Sequence, residues 1–270
     1  MLVIARRNSN TGGEIPLFFA PIWGINSSAL GASAIAVLDD RFYAYRGGNA
    51  MPFTLHVDTW NDKIIQGNGA DGYGYDTYTE SLTSSPDGVL EVKLFPNKEG
   101  PSNNGNGNGN ENNSGNSSND GAGNFGILHI GSGSNGVPVL RDQILNGISQ
   151  EDFVDLTGQP MVQFYEYDSG EAVSYQIAGN PGIKAGLKDA LKNKVGQEVA
   201  FFLHTSVSGT GSNVVFTVVT MRFGRIMDVD LTGNDKVIII QPVPYYGQGV
   251  LTSPFAPSTD RLIGTLELVR

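Results

Sequence analysis

Between Pro101 and Asp120, 17 of 20 residues are Asn, Gly or Ser, and none is apolar. A stretch with nothing to bury cannot offset the entropy of ordering its own backbone. The composition therefore predicts a disordered, flexible Asn/Gly-rich loop over Asn97–Gly123, and the compact part of the 270-residue chain must come from either side of it. A coil of about 20 such residues has an rms span of roughly 25 Å, so it can join distant points of one domain as easily as two domains. The division that follows is a β-rich part over 1–96, the loop over 97–123, and an α+β part over 124–270. The first and last parts are open to forming a single domain.

Before the loop the pattern is that of strands. "MLVIARR" is short and apolar, and Pro16 and Pro21 put "IPLFFAPIWG" at a sheet edge or bend. "SALGASAIAVLDD" alternates, with Ala32, Ala34 and Ala36 on one face and Ile35 and Val37 on the other. Further strands are predicted at Pro52–Val57 and Val89–Phe95, with a helical turn at Trp60–Ile65. After the loop, "NFGILHIG" reads as a strand and Val137–Asn146 as a helix with Pro138 near its start and Gly147 at its end. Ser149 and Asp152 have the spacing of a capping box opening a one-turn helix. "MVQFYEYD" and "EAVSYQIA" flank Asp168-Ser169-Gly170 as a hairpin. Gly182–Val195 carries the stripe Ile183, Leu187, Leu191 of an amphipathic helix. Strands follow at Glu198–Val207, Val214–Val229 (bent near Gly224) and Lys236–Val243, with a last one at Leu262–Val269. The expected class is α+β: mainly antiparallel β-sheet, sandwich-like, with two or three short helices.

The charge balance narrows the partners. Formal net charge is −10 and only 16% of residues are charged, a balance that repels nucleic-acid backbones and anionic lipid. No nucleic-acid partner is expected. With no cysteine in the chain, disulfides, thiolate nucleophiles and cysteine-type zinc sites drop out. No apolar run of about 18 residues is present, so no membrane span is expected in this chain. "MLVIARRNSN" puts its apolar residues before its arginines, the reverse of a secretory signal. An acidic, cysteine-free chain rich in Asn, Gly, Ser and Thr suits an exported bacterial protein whose address lies elsewhere.

Several motifs bear on chemistry. Gly131-Ser-Gly133-Ser-Asn-Gly136 has the G-x-G-x-x-G spacing of a phosphate-cradling loop. Such a site needs a parallel βαβ unit and an acidic residue at the end of the second strand. Glu151, Asp152 and Asp155 fall at the right distance but in a helical segment, so the motif reads as a strand-to-helix turn and no cofactor is expected. Asp228-Val-Asp230-Leu-Thr232-Gly233 starts like a calcium loop, but its twelfth position is Ile239, not Glu. The weak metal candidates are Asp228, Asp230 and Asp235, against the plainer reading of a turn with outward carboxylates. The three histidines, His56, His129 and His204, each fall inside a predicted strand and form no close sequence pair. No catalytic residue is assigned. Tyr73, Tyr75 and Tyr78 near Trp60 could stack on sugars or cover a core. Lys184, Lys188 and Lys192 line up at i, i+4 spacing, either as a solvated face or as a contact strip for an acidic partner.

"VIARR…EIPLFFAPIWGINSSALGASAIAVL", "NFGILHIGSGSN…LRDQILNGIS", "NPGIKAGLKDALKNKVGQEVAFFL" and "VSGTGSNVVFTVVTMRFGRIMDVDLTG…VIIIQP" together resemble bacterial TadG-like proteins, the TadE/TadG group associated with tight-adherence (Flp) pilus assembly. The resemblance covers Leu2–Pro242, with the Asn/Gly loop as an insertion. It implies a non-enzymatic, extracytoplasmic protein of the cell envelope or periplasm whose partners are other envelope or pilus-assembly proteins. Such proteins usually begin with a membrane helix, whereas this sequence starts at the first strand, so an anchor, if any, is expected upstream of Met1. The alternative is a secreted carbohydrate-binding or carbohydrate-active β-domain using Trp60, Tyr73, Tyr75 and nearby acids.

Overall fold

The computed structural model describes residues 2–7, 10, 13–16, 27–94, 125–132, 136–209, 214–232, 236–260 and 262–269. The Asn/Gly/Ser loop, Pro21, Gly133 and Asp235 lie outside them. In chain order the strands are β1 (Leu2–Arg7), β2 (Ile15–Pro16), β3 (Ser27–Ser28), β4 (Leu30–Asp39), β5 (Phe42–Tyr45), β6 (Ala50–His56), β7 (Gly74–Asp76), β8 (Ser81–Thr83), β9 (Val92–Leu94), β10 (Phe125–Leu128), β11 (Val162–Gln163), β12 (Tyr175–Asn180), β13 (Glu198–Ser208), β14 (Val214–Asp230), β15 (Val237–Pro242), β16 (Val250–Thr252) and β17 (Thr265–Val269). The helices are α1 (Val57–Trp60), α2 (Val137–Asn146), α3 (Gln150–Thr157) and α4 (Lys188–Lys192). A π-helical turn (Asn61–Ile65) continues α1, and a 3-10 turn (Ala185–Leu187) precedes α4. This is the mainly antiparallel α+β architecture that the alternating runs predict.

The 17-residue strand β14 organises the molecule. One of its edges pairs antiparallel with β13, from Glu198↔Arg225 to Ser208↔Val215. Its other edge is shared: β12 takes the first part (Tyr175↔Val218 to Gly179↔Val214) and β15 the last (Gly224↔Pro242 to Asp230↔Val237). Beyond β12 the ladder runs through β10 and β6, and β6 lies parallel to β13. Strands β6, β10, β12, β14 and β13 therefore close into a ring, which leaves on β14 the stretch between Val218 and Gly224 without a described strand partner on that side. Phe216 of β14 reaches across the interior to strands that are not both its neighbours. A Cβ on Gly126 of β10 would overlap its ring, and one on Gly179 of β12 would lie 2.7 Å from its Cε2. Two glycines thus make room for one phenylalanine at the centre of the ring.

Side-chain alternation along each strand sends apolar residues both ways. On the outer face Phe53, Leu55, Phe125, Phe201 and Leu203 pack under Trp60 of α1, Leu140 and Ile144 of α2, and Leu191 of α4. The opposite cluster unites Phe202, Phe216 and Phe223 with Phe153 of α3 and with Phe42, Tyr45 and Val162 of a second sheet, ordered β11–β5–β16. Strands from both sides of the Asn/Gly tract share the main sheet: β6 pairs with β10 and β13, and β9 pairs with β15. A third sheet is ordered β1–β4–β17. Among the described residues, no helix is long and apolar enough to cross a membrane.

Of the expected elements, the hairpin and the long amphipathic helix differ most from what forms. The turn at Asp168–Gly170 closes, with Glu166 N–H donating to Glu171 O at 2.8 Å. Its arms then part: Val162–Gln163 pairs with β5, whereas Tyr175–Asn180 joins the ring. Each arm carries apolar residues that a different core buries, and tertiary burial outweighs local pairing. The helix expected over Gly182–Val195 is confined to the 3-10 turn and α4. Gly186 brings that turn against α2, where an added Cβ would lie 3.0 Å from Val137 Cγ1, and Gly is a poor helix former.

Candidate functional site

The ring interior brings together two histidines that are far apart in the sequence. His56, the last residue of β6, registers directly opposite His204 of β13, and the two imidazoles meet edge to face at 5.2 Å between centroids. His204 is 1% exposed. Its Nδ1 lies 2.9 Å from Thr54 Oγ1, and its ring packs on Phe216 at 5.0 Å. Burial, and secondarily the neighbouring His56, push its pKa down to about 3. His56 caps α1: its Nδ1 accepts from Asp58 N–H at 3.2 Å. That leaves the ring proton on Nε2, which donates to Thr205 O at 3.1 Å. Asp58 Oδ2 approaches His56 Nδ1 at 3.8 Å from a solvent-exposed position. Both nitrogens of His56 and Nδ1 of His204 thus hold the backbone and strand β6 in place. His129 lies elsewhere, at the end of β10, where Asn180 Nδ2 approaches its Nε2 at 2.9 Å. Burial and then Lys184 lower its pKa.

The aromatic and acidic loop after α1 is knitted internally. Trp60 is 2% exposed and packs on Phe201 at 5.6 Å, so it is a core residue and offers no stacking face to a sugar. Glu91 is buried and accepts from Gly72 N–H and Tyr73 N–H. Burial pushes its carboxyl up, the two N–H groups oppose this, and Asp71 and Asp87 add to it. Asp71 in turn accepts from Asp87 N–H and Gly88 N–H, and Asp87 from Tyr75 N–H. Tyr73 Oη donates to Asp228 Oδ2 at 3.0 Å. The Tyr75 ring lies under the Arg225 guanidinium at 3.4 Å, which also pairs with Glu198 at 2.7 Å. Tyr78 alone of this group projects fully into solvent.

The glycine-rich turn after β10 has its negative charge supplied by the protein itself. Gly131 has φ +91°, and a Cβ there would overlap Asp152 Oδ1. Ser132 N–H donates to Asp155 Oδ2 at 2.8 Å. Asp152 also completes the capping box with Ser149 at the start of α3, which runs eight residues where one turn is expected. β10 pairs antiparallel on both sides, so the strand context of a dinucleotide fold is lacking here. Asp228 and Asp230 end β14, in a hairpin with β15. Asp228 is bonded to Tyr73 and Asp230 to Thr232. Thr232 holds the Asp230 carboxyl below its usual range, with Lys188 and Lys192 contributing. Asp230 therefore lies within electrostatic reach of Lys188 and Lys192, while Lys184 precedes the 3-10 turn and Asp235 lies outside the described residues. Among the described residues, no three His, Cys, Asp or Glu side chains are grouped to hold a metal.

A cleft of about 410 Å³ opens where the free edge of β14 passes the second sheet, lined by Phe42, Tyr165, Ser174, Val219, Thr220, Arg222 and Pro257. Arg222 is half-buried there. Its Nη1 donates to Met221 O at 2.9 Å and Thr220 Oγ1 at 3.3 Å, and among the described residues its buried Nε has no partner. Sequence reasoning passed over this residue, although two arginines inside a run as apolar as "VVFTVVTMRFGRIM" are the signal that would have found it. No family model matches the sequence, and no curated protein or solved structure matches it either.

Proposed function

We propose that the chain is a non-enzymatic, extracytoplasmic envelope protein of the TadG-like pilus-assembly type, acting through protein–protein contacts. The observation that supports this reading best is the β1–β4–β17 sheet. Leu266 registers with Leu38, and Val37 with Glu267, so Val37 and Leu266 face opposite sides of the sheet. They are nonetheless 48% and 61% exposed. A sheet with an exposed apolar side chain on each face, and with β1 and β17 as its edge strands among the described residues, is suited to contact another chain. In the main body, by contrast, His56 and Glu91 are bonded to its own backbone.

The test is affinity capture from envelope extract of the source cell, with wild type and a Val37→Lys/Leu266→Lys variant. The reading expects pilus-assembly components to be enriched by wild type and lost with the variant. Recovery of cytosolic metabolic enzymes alone, or capture indifferent to the substitutions, would overturn it.

A further inference from the structure

We propose that the turn Glu166–Glu171 docks a cationic segment of a partner protein, pairing its arginine side chains with opposed glutamates beside an exposed aromatic patch. This goes beyond the scaffold reading, uses no residue of the β1–β4–β17 sheet, and does not depend on it.

The turn carries charge that nothing around it balances. Tyr165 pairs antiparallel with Ala172 as an isolated bridge, and one step inward Glu166 N–H donates to Glu171 O at 2.8 Å. That register sets Glu166 directly opposite Glu171. Side chains so placed share a face with Cβ atoms about 5 Å apart, and like charges in that position repel. Asp168 lies in the turn between them. All three carboxylates are exposed, and none of the ion pairs among the described residues includes them. Closure of the turn does not use them: Gly170 N–H donates to Glu166 O at 2.9 Å, and Glu171 N–H to Ser169 Oγ at 3.2 Å. Gln163 Nε2 approaches Glu166 Oε1 at 3.3 Å and brings no charge. The imbalance extends along the sequence, since 142–183 holds seven Asp and Glu and no Lys, Arg or His.

The same turn presents aromatic surface. Tyr167 is 51% exposed and Phe255 58%. The Tyr167 ring meets Tyr43 edge to face at 5.3 Å. Buried Ser253 ties the two exposed residues together, its Oγ donating to Tyr167 O at 2.6 Å and accepting from Phe255 N–H at 3.2 Å. A Cβ on Gly170 would overlap Phe255 O, so the turn and the Phe255 segment pack without a gap. Large rings held in water on a firm support mark a contact surface. The carboxylates decide what it contacts. A ring face attracts a guanidinium or ammonium, and carboxylates pair with either. Arginine suits both at once, stacking its plane on a ring while its N–H fork meets a carboxylate. Among the described residues no acids are grouped to hold a metal ion, which favours an organic cation.

The experiment titrates the full chain at low salt with acetyl-Gly-Arg-Gly-Arg-Gly-amide, following the backbone amides of Glu166–Glu171 by ¹H–¹⁵N NMR. The same peptide with citrulline for arginine is the uncharged control, and chitotriose tests a sugar as the occupant. The expected result is a saturable shift with Kd on the order of 1 mM or tighter. Citrulline, or Glu166→Gln with Glu171→Gln, should weaken it about tenfold or more, and Tyr167→Leu about two- to fivefold. Glu151→Gln with Asp189→Asn removes the same charge from exposed sites elsewhere and should leave most of the affinity. The glutamine pair should also raise the thermal midpoint by relieving the repulsion. No shift, equal binding of the arginine and citrulline peptides, or equal weakening by the two charge-removing pairs overturns the proposal. So does a shift with chitotriose alone, which would make the patch a glycan site, or a lowered midpoint, which would make the glutamates structural.

Discussion

His204 makes the fold sensitive to acid in a window where carboxylates are still ionised. Its folded pKa lies near 3 against an ordinary value of 6.5. Below pH 6.5 the unfolded chain takes up a proton at this position and the folded chain does not. Stability contributed by the neutral, buried ring is therefore complete above pH 6.5 and lost as the pH falls toward 3. At 1.36 kcal/mol per pH unit the full loss is roughly 5 kcal/mol, and about 2 kcal/mol is gone by pH 5. Set against a typical total of roughly 5–15 kcal/mol, that is a substantial share. Protonation would also make both ring nitrogens donors, and would place a charge 5.2 Å from the His56 ring. The assay is urea denaturation at pH 7, 6 and 5, followed by tryptophan fluorescence, on wild type and His204→Asn. The Asn side chain offers an oxygen to Thr54 but does not titrate. Any cost at pH 7 from its smaller volume cancels, because the readout is the change with pH. His129, whose pKa is also lowered by burial, contributes equally to both proteins. Wild type is expected to lose about 2 kcal/mol more than the variant between pH 7 and pH 5. Equal losses in the two proteins would refute the argument that His204 is neutral and buried.

Gly126→Ala forces a methyl into the Phe216 ring and is expected to destabilise by about 1–3 kcal/mol; a urea midpoint like that of wild type would contradict the packing of the ring interior. Ser149→Ala removes one half of the α3 capping box and should cost about 1 kcal/mol, with amide exchange accelerated in α3 and not in β13. Tyr75→Leu removes the face under Arg225 and should cost about 0.5–1 kcal/mol in thermal denaturation, with Tyr75→Phe close to neutral.

Local signals predicted local structure well. Val137–Asn146 is a helix between the bounds set by Pro138 and Gly147, the Ser149–Asp152 pair caps a helix, and the three late strands form within a residue or two of their alternating runs. What could not be read was how these elements combine. Ring closure depends on β12 and β15 dividing one edge of β14, and on the parallel pairing of β6 with β13. Neither leaves a mark in the periodicity of any one strand. His56 and His204 looked like isolated strand histidines because 148 residues separate two positions that the register places side by side. The glycine-rich turn matched a phosphate loop in spacing but not in context, and was read as a strand-to-helix turn. Gly131 is needed so that the backbone can approach the carboxylate of Asp152, and that requirement for a close approach is the same one a phosphate imposes. Gly126 and Gly179 gave no signal either, since each is an unremarkable strand glycine until Phe216 is known to cross between them.

The central claim, that the protein works by contact through its β1–β4–β17 sheet, is tested most directly by site-specific photocrosslinking in envelope extract. A photoreactive residue replaces Val37 or Leu266, and the same residue at Tyr78, exposed on a loop elsewhere, serves as the control. The account predicts crosslinks from Val37 and Leu266, but not from Tyr78, to a pilus-assembly component. The same adducts from all three positions, or none from the sheet, would contradict it.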